Sequence, residues 1–473
     1  MKFTSRIGVF VGLLAGAAVV LAQGAQLSPD LRSKVDAAVA DVMAKTSVPS
    51  ASVGIVQGGT IVFTKAYGRA RLDPPVNATA EMAYPIGSIS KQFTSAALLL
   101  LQQDGKLSID DPVAKYFPEL TRAKDVTIRN LLTHTSGYQD YAPQDYTIPD
   151  WMKPTTADKI IHTWATKPLD FEPGTQYQYS NTNYNIAGLI VEKVSGEKFW
   201  PYLTRRVLKP LGLNRTIDLD TERSKLAVSG YFRNALGPLR PAILEAPGWY
   251  FADGEMAMPV GDLLTWDISL INQSLLAPAS YAAMIADMKL KNGQVSRYGL
   301  GVGMSTRDGH RVVSHGGEVG GYVSQNTVFP DDKIAVVVLT NQEASSAAGS
   351  IARAISALLL PPAAPLSGVV TEAAKSEAQA KQILSGLQQG KIDRALFTSN
   401  GNFYFDATAI GDFQSSLSPL GAVQTVTQTG MNLRGGMTFR GFDVTFANGT
   451  KVRLSTYTTT DGKIEQFLVD AVG

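Results

Sequence analysis

The chain has 473 residues, of which 44% are hydrophobic and 18% are charged, so it is long enough for a large core and more than one domain, and global disorder is excluded. Its 43 basic and 41 acidic residues give a formal net charge of only +2, without a sustained basic run, which argues against nucleic acid as a partner. Cysteine is absent, which excludes disulfides, thiolate metal sites and a lipid-modified cysteine.

The first predicted element is an export signal over residues 1–22. Lys2 and Arg6 precede an apolar run that ends at Leu21, and Ala22 offers a small residue for cleavage. The run is shorter than the roughly 20 apolar residues of a spanning helix. We therefore expect a periplasmic or secreted protein with no stable membrane span after cleavage. An uncleaved anchor is the alternative.

Helix and strand signals follow in turn. Ser28 and Pro29 are typical of a helix start. Two strand-like runs come next, and Gly58 and Gly59 between them predict a hairpin. A helix is predicted from Ser88 to Asp104, where an apolar run rich in alanine and leucine ends before a glycine.

The pattern from about Asp110 to Leu290 is mainly helical, and strand signals then return in "RYGLGVGM", "HRVVSHGG", "GYVSQNTVF" and "KIAVVVLTN". The last three runs are linked closely enough for an antiparallel meander. A helix over roughly Ala344 to Leu359 closes this part. We predict a mixed α/β (α+β) domain over residues 23–360, in which terminal helices flank an antiparallel sheet and a helical region is inserted between its strands.

A linker is predicted over residues 361–369, within the proline-rich stretch "LLLPPAAPLSG". Residues 370–473 then form a second, smaller α+β domain. A helix-forming stretch leads into the strand-like runs "NFYFDA", "MTFRGFDVTF" and "KVRLSTYT", and Asn448-Gly449 and Asp461-Gly462 supply hairpin turns. The pattern is similar to folds of the nuclear-transport-factor-like kind. We expect a packing or interaction module.

The sequence "YPIGSISKQF" places Lys91 three positions after Ser88, at the start of the buried-looking helix. Residues three apart share a helix face, so the hydroxyl and the amine are neighbours. Desolvation and the positive end of the helix dipole disfavour the ammonium ion, and a neutral amine can take the serine proton. For an isolated Ser-x-x-Lys the alternative is a helix cap beside a lysine that reaches solvent.

Two further motifs accompany this pair. Tyr179-Ser180-Asn181 ends the loop "PGTQYQYSN", and His315-Gly316-Gly317 ends the strand-like run in "SHGGEVGG". In order and spacing the three motifs resemble the signatures of the serine β-lactamase and penicillin-binding protein superfamily, over roughly residues 27–360. The stretch "TIRNLLTHTSGY" is similar to a hallmark of its class C β-lactamase, D-peptidase and esterase branch.

The resemblance implies an acyl-enzyme on Ser88, with Lys91 as the base and Tyr179 as the group that passes the proton to the leaving group. Asn181 would hold Lys91 and donate to a substrate amide.

The strand that carries His315 is implied to pair with an extended substrate, which Gly316 and Gly317 let approach. The implied oxyanion hole is formed by the backbone N–H groups of Ser88 and Glu318. All three motifs precede the linker, so we expect a chain that ends near Leu366 to fold and to keep most of its esterase activity.

The sequence also departs from the family pattern. β-Lactamases of this branch usually have lysine at the position of His315, where it meets the antibiotic carboxylate. Asp253-Gly254 replaces a paired-glycine turn, and the acidic deacylation base of class A enzymes has no counterpart. We interpret His134 as structural, hydrogen-bonding its own "LLTHTSG" turn.

Neither His162 nor His310 has metal-ligand spacing, so we expect no metal and no cofactor.

The leading hypothesis is an exported serine hydrolase of an ester, a D-amino-acid amide or a D-peptide, with a cell-wall peptide among the candidate substrates. One alternative is a penicillin-recognising or cell-wall-binding protein with little turnover, and another is a true class C-like β-lactamase. A further alternative is a binding module attached to a vestigial hydrolase, against which the intact motif set argues.

Overall fold

The computed structural model describes residues 26–360, 374–434, 437–459 and 461–472. Among these residues no helix is long and apolar enough to cross a membrane. The helices are α1 (Pro29–Thr46), α2 (Ser90–Gln103), α3 (Ile128–Leu132), α4 (Ala157–Trp164), α5 (Asn181–Ser195), α6 (Phe199–Leu203), α7 (Phe251–Gly254), α8 (Val260–Asn272), α9 (Pro278–Met284), α10 (Ala347–Leu359), α11 (Ala374–Leu387), α12 (Ser399–Tyr404) and α13 (Ala407–Leu417).

The strands of the first domain are β1 (Ser50–Gln57), β2 (Thr60–Arg71), β3 (Val76–Asn77), β4 (Tyr84–Pro85), β5 (Ile217–Asp218), β6 (Tyr231–Phe232), β7 (Arg240–Pro241), β8 (Met256–Met258), β9 (Gly303–Arg307), β10 (His310–Val319), β11 (Tyr322–Phe329) and β12 (Ile334–Thr340). Those of the second domain are β13 (Val423–Arg434), β14 (Met437–Phe446), β15 (Lys451–Thr458) and β16 (Ile464–Ala471). The predicted export signal and linker lie outside the described residues and stay predictions.

The first domain is built around a seven-stranded antiparallel sheet in the order β3-β2-β1-β12-β11-β10-β9. Strand β1 pairs with β12, with Val53 opposite Val338, so strands from the two ends of the domain meet in the middle of the sheet. The predicted hairpin turn joins β1 to β2, and Gly58 and Gly59 both have positive φ, as such a turn requires.

Helices cover both faces of this sheet. Side chains of a strand alternate between faces, and β12 does so: Val336 and Val338 pack in a cluster with α1 and α10. Val337 and Leu339 join the larger core formed with the inserted helices, α2, α5 and α8 among them. The expected antiparallel sheet with terminal helices and an inserted helical region is therefore confirmed.

The second domain has a four-stranded antiparallel meander, β13-β14-β15-β16. Its core joins residues of α11 and α13, such as Leu384 and Phe413, to Phe442 and Phe467 of the sheet. The expected smaller α+β domain is confirmed.

Three sequence-based boundaries are wrong. The run "NFYFDA", predicted as a strand, begins in α12 and ends at the first residue of α13, because Thr398 caps a helix there by accepting the Gly401 N–H at 3.1 Å. Only the end of "RYGLGVGM" is strand, since β9 begins at Gly303. The helix predicted from Ser88 begins at Ser90, because residues 87–89 form a separate 3₁₀ turn.

The two domains touch at separated points. Arg240 donates to Asp412 of α13, with an Nη2–Oδ1 distance of 3.0 Å. The Ser346 hydroxyl donates to the Ala471 carbonyl at 2.8 Å. The Tyr146 hydroxyl donates to the Glu465 carbonyl at 2.7 Å. The second domain is therefore anchored along the first one beside the cavity described next.

Candidate active site

The sequence-predicted residues meet in one cavity of about 540 Å³. Ser88, Tyr179, Asn181, His315 and Gly317 line it from the first domain. The second domain also contributes to its wall, most closely through residues of β13 and β15 such as Arg434 and Tyr457. The wall of the cavity therefore includes the second domain, which argues against full activity of a chain that ends near Leu366.

Ser88 lies in the 3₁₀ turn that precedes α2, and Lys91 lies in the first turn of that helix. The Lys91 ammonium nitrogen is 2.9 Å from the Ser88 hydroxyl oxygen. It is also 2.7 Å from Oδ1 of Asn181 and 2.9 Å from the backbone carbonyl of Asp253. The lysine side chain is fully buried.

These surroundings suit a neutral amine. Burial lowers the pKa of Lys91 to about 8, although the charges of Asp253 and Asp140 act in the opposite direction. The two carbonyl oxygens around Nζ can only accept hydrogen bonds, whereas the serine hydroxyl can also donate one. A neutral Lys91 would direct its two protons to the carbonyls and its lone pair to Ser88, which is the arrangement of a general base.

Asp253 is a buried carboxylate beside this base. Its Oδ2 lies 4.0 Å from Lys91 Nζ and accepts from the Tyr141 hydroxyl at 3.0 Å. Asn185 donates to Oδ1 at 3.2 Å. Burial raises the pKa of Asp253 to about 7, against the opposing charge of Lys91. The position that departs from the family's paired glycine thus carries an acid in contact with the candidate machinery.

Tyr179 projects its ring over Lys91, with 5.0 Å between Nζ and the ring centroid. Its hydroxyl is buried and makes no hydrogen bond within the described part of the chain. Burial raises the pKa of Tyr179, and the charge of Arg434 acts in the opposite direction. The phenol is therefore protonated at neutral pH and is available to donate to a leaving group.

The imidazole of His134 packs against the ring of Tyr179. The two ring centroids are 4.1 Å apart, and Nδ1 of His134 accepts the Ser180 N–H at 3.1 Å. The imidazole bonds the Tyr179 motif instead of its own turn, which corrects the expectation for its side chain. Burial and the charge of Lys91 hold the pKa of His134 well below its usual value, so it packs as a neutral ring.

Asn181 begins α5 and connects Lys91 to Asp140. Its backbone N–H donates to Asp140 Oδ1 at 2.9 Å, and its side-chain amide donates to the Ala142 carbonyl at 3.1 Å. Asn181 therefore has the predicted contact with Lys91. Its amide protons already have protein acceptors, since Asp140 Oδ2 also lies 3.4 Å from Nδ2, so donation to a substrate would have to share them.

His315 is neutral in this cavity. Its Nδ1 donates to the Gly316 carbonyl at 2.5 Å, and its Nε2 accepts from the Tyr298 hydroxyl at 2.7 Å. Loss of hydration and the nearby charge of Lys91 lower the pKa of His315 to about 4. The site thus has no fixed cation at the position where β-lactamases usually have lysine.

Gly317 allows β10 to cross close to the segment before Ser88. A Cβ atom at this position would lie 1.8 Å from the Ile86 carbonyl oxygen. The backbone nitrogen of Glu318 lies beside the serine turn, 2.7 Å from where a Cβ of Gly87 would be. The two backbone donors of the expected oxyanion hole therefore belong to neighbouring segments.

Arg434 and Asp140 are the residues that sequence reasoning missed. Nε of Arg434 lies 3.3 Å from Oδ2 of Asp140, and the guanidinium carbon lies 5.1 Å from the Tyr179 ring centroid. Asp140 lies two residues after the end of the "LLTHTSGY" stretch, which is a weak local signal. The sequence has no local signal for Arg434, because its strand β13 is mostly polar and lies in the other domain.

The described residues contain no group of three or more His, Cys, Asp or Glu side chains that could hold a metal ion.

Comparison with known proteins agrees with this arrangement. The model of the Beta-lactamase family matches residues 35–360. Protein flp of Staphylococcus aureus is 28% identical over 330 residues, which cover 67% of this chain and 64% of that protein. Penicillin-binding protein 4* of Bacillus subtilis is 28% identical over 302 residues, 61% of this chain and 67% of that protein. The chain thus spans 64% of the length of the staphylococcal relative.

Solved structures share the fold. A D-stereospecific amidohydrolase from Streptomyces sp. has a TM-score of 0.59 and 27% identity, with 70% of this chain and 99% of that chain covered. The octameric penicillin-binding protein homologue from Pyrococcus abyssi has a TM-score of 0.61 and 23% identity. That match covers 93% of this chain and 99% of the other, so the likeness in fold extends into the second domain.

Proposed function

Because this chain belongs to the β-lactamase family, we propose that it is a serine hydrolase that cleaves an amide or ester through an acyl group on Ser88. The observation that carries the proposal is the fully buried Lys91, whose Nζ lies 2.9 Å from the Ser88 hydroxyl between two carbonyl acceptors. A buried amine with a lowered pKa is a suitable base for a serine nucleophile.

In the acylation step the Ser88 oxygen attacks the substrate carbonyl carbon, and Lys91 takes the hydroxyl proton. The oxygen that becomes negative accepts from the backbone N–H groups of Ser88 and Glu318. The bond to the leaving amine or alcohol breaks as Tyr179 gives its hydroxyl proton to the leaving group, and the proton that Lys91 took from Ser88 then restores the phenol of Tyr179. Water then cleaves the acyl ester and restores Ser88.

The substrate class follows from charge. His315 is neutral, since its pKa is lowered to about 4, so no fixed cation lies at this position to meet a substrate carboxylate. Arg434 also lines the cavity, but it is already paired with Asp140 and Asp145. We propose that short esters and D-amino-acid amides are cleaved in preference to penicillins and cephalosporins, whose carboxylate would need such a cation. The 27% identity to a D-stereospecific amidohydrolase supports the amide class. Export to the periplasm or the medium remains a proposal from the residues 1–22.

The test is a screen of the purified protein against nitrophenyl esters, D-amino-acid amides, D-Ala-D-Ala peptides and a chromogenic cephalosporin. We expect turnover of esters or amides, loss of that turnover in Ser88→Ala, and no loss in the control Ser305→Ala on exposed β9. Efficient cephalosporin turnover with negligible esterase activity would restore the β-lactamase alternative. Stoichiometric labelling without turnover would favour the penicillin-recognising alternative.

His315→Lys tests the charge argument directly. A partly desolvated ammonium should improve selectivity for cephalosporins over neutral esters by about 1 to 2 kcal/mol in transition-state terms. The control is His310→Lys, because His310 pairs with Asp332 at the start of β10, outside the residues that line the cavity. An unchanged selectivity ratio in His315→Lys would contradict the assignment of substrate class.

A further inference from the structure

The second domain reaches the candidate active site through the end of β13. The backbone of Arg434 pairs with that of Tyr179 in an isolated parallel bridge. The Arg434 side chain, only 19% exposed, extends into the wall of the cavity. A long cationic side chain is rarely buried to this extent unless acceptors surround it.

The guanidinium group binds several acceptors of the first domain. Its Nε lies 3.3 Å from Asp140 Oδ2, its Nη1 lies 3.4 Å from Asp145 Oδ1, and its Nη2 donates to the Ala142 carbonyl at 3.1 Å. Within its own domain, Nη1 donates to the Tyr457 hydroxyl at 3.0 Å. Arg434 is thus held by both domains at once.

The Asp140 carboxylate is the link to the serine. Its side chain is fully buried, and Oδ1 accepts the Asn181 N–H at 2.9 Å. Asn181 Oδ1 in turn accepts from Lys91 at 2.7 Å. Removal of Arg434 would leave the buried Asp140 carboxylate without its cation, which is strongly unfavourable. Asp140 would then shift, and Asn181, which bonds both Asp140 and Lys91, would shift with it.

We propose that Arg434 is a positioning residue of the serine site, which fixes Asp140 and through it Asn181 and Lys91, so that the second domain is part of the catalytic unit. This inference rests on the proposed function. It also assigns a role to the second domain beyond packing.

The charges around the base support the proposal. Burial is the main cause of the lowered pKa of Lys91; the cation of Arg434 acts in the same direction, and Asp253 and Asp140 act against it. The other titratable or aromatic groups that face Lys91 are His134, His315, Tyr179 and Tyr184. Those in contact with Arg434 include Asp140, Asp145, Tyr179 and Tyr457. The charge of Arg434 also acts on Glu318, His134 and Tyr177.

Loss of the Arg434 charge and loss of the Asp140 charge should therefore shift the pH–rate profile in opposite directions. Loss of the Arg434 cation raises the pKa of Lys91, so the acid limb of the pH–rate profile moves to higher pH. Loss of the Asp140 anion lowers the pKa of Lys91, so the limb moves to lower pH. A residue that only stabilised the fold would move neither limb.

The experiment compares the full-length wild type with Arg434→Ala, Arg434→Lys, Asp140→Asn and the control Arg440→Ala. Arg440 lies on the adjacent strand β14 and makes no hydrogen bond or ion pair to the first domain among the described residues. The measurements are kcat and KM for a small uncharged nitrophenyl ester across pH, the rate of labelling by a fluorophosphonate, and thermal unfolding.

We expect Arg434→Ala to lower kcat and the labelling rate by about ten- to a hundredfold, as small misplacements of catalytic groups do, with KM little changed. Its acid limb should move to higher pH, and that of Asp140→Asn to lower pH. Arg434→Lys should restore part of kcat and a near-wild-type limb, and Arg440→Ala should match the wild type.

A folded Arg434→Ala protein with wild-type kcat and pH profile would overturn the inference, even if its melting temperature fell. If Arg434→Ala does not fold, Asp140→Asn decides, because a wild-type kcat and an unmoved acid limb in that variant would overturn the inference equally. Failure of the wild type to be labelled at Ser88 would instead reject the proposed function, so the two failures are distinguishable.

Discussion

At the scale of single residues, the chemistry depends on how easily Lys91 loses its proton. Burial lowers the pKa of this lysine, but the Asp253 carboxylate 4.0 Å away raises it again, and the balance lies at about 8. Since the base must be neutral to act, activity should rise with pH through this value. Asp253 therefore sets where the acid limb lies.

Asp253→Asn should move that limb to lower pH, because removal of the anion lets the pKa of Lys91 fall further. The amide keeps the size of the side chain, and its single oxygen can still accept from Asn185, while its NH2 group can donate to the Tyr141 hydroxyl. The measurement is kcat/KM for a neutral ester against pH, with the exposed Asp287→Asn as control. A limb that stays in place or moves to higher pH would contradict this role.

The burial of His315 also affects how peptide cleavage depends on pH. An unperturbed histidine titrates near ~6.5, and a protonated His315 would attract the carboxylate of a D-Ala-D-Ala peptide as pH falls towards that value. Loss of hydration lowers the pKa of His315 to about 4 instead. Peptide cleavage should therefore not improve as pH falls from neutral towards about 6.5, because His315 stays neutral there while more of Lys91, with a pKa of about 8, becomes protonated.

At the scale of secondary-structure elements, the site depends on the close crossing of β10 over the serine turn. A Cβ at Gly317 would overlap the Ile86 carbonyl, 1.8 Å away, whereas the nearest atom to a Cβ at Gly316 is 3.7 Å distant. The hydroxyl of Ser324 on β11 donates to the same Ile86 carbonyl at 2.8 Å. The strand and the turn therefore fit as one unit.

Gly317→Ala should force β10 away from the turn, with a loss of stability of about 1 to 3 kcal/mol from overpacking and a large fall in acylation rate. Gly316→Ala is the matched control and should keep the wild-type free energy of unfolding. Chemical denaturation and fluorophosphonate labelling measure both effects. Equal stability and labelling of the two variants would contradict the proposed fit.

The sequence predicted most of these elements. Strong periodicity and turn glycines were sufficient for the meander β10 to β12 and for the hairpins at Gly449 and Gly462, both of which have positive φ. The strand prediction for "NFYFDA" was wrong because the alternation of apolar and polar residues over so short a run is outweighed by a threonine helix cap. The motif residues of the first domain were found because each has a local pattern, but Arg434 and its contact with Asp140 depend on how two domains pack.

At the scale of the whole molecule, the contacts between the domains indicate one cooperative unit. Arg240 and Asp412 form a mostly buried ion pair, with side chains 29% and 11% exposed, and neither residue lines the cavity. Asn234 also donates to Asp412 at 3.2 Å. The second domain is thus bound to the first at the serine site, through Arg434, and at a second place, through Asp412.

Asp412→Ala should lower the free energy of unfolding by about 1.5 to 3 kcal/mol, as expected for lost hydrogen bonds to a charged group. The wild type should melt in a single transition, and the variant should melt at a lower temperature. The control is Asp443→Ala, because Asp443 is exposed and 3.9 Å from Arg453 of the same domain. Two separate transitions in the wild type would contradict a single unit.

The most direct test of the central claim is to trap the acyl-enzyme. The wild-type protein would be mixed with a slowly hydrolysed ester, quenched in acid during turnover, digested and analysed by mass spectrometry. We expect the acyl group on the peptide that contains Ser88, at a much lower level in Lys91→Met, which keeps the side-chain volume but removes the base, and absent from Ser88→Ala. Turnover without an adduct, an adduct on another residue, or full turnover by Ser88→Ala would contradict the serine mechanism.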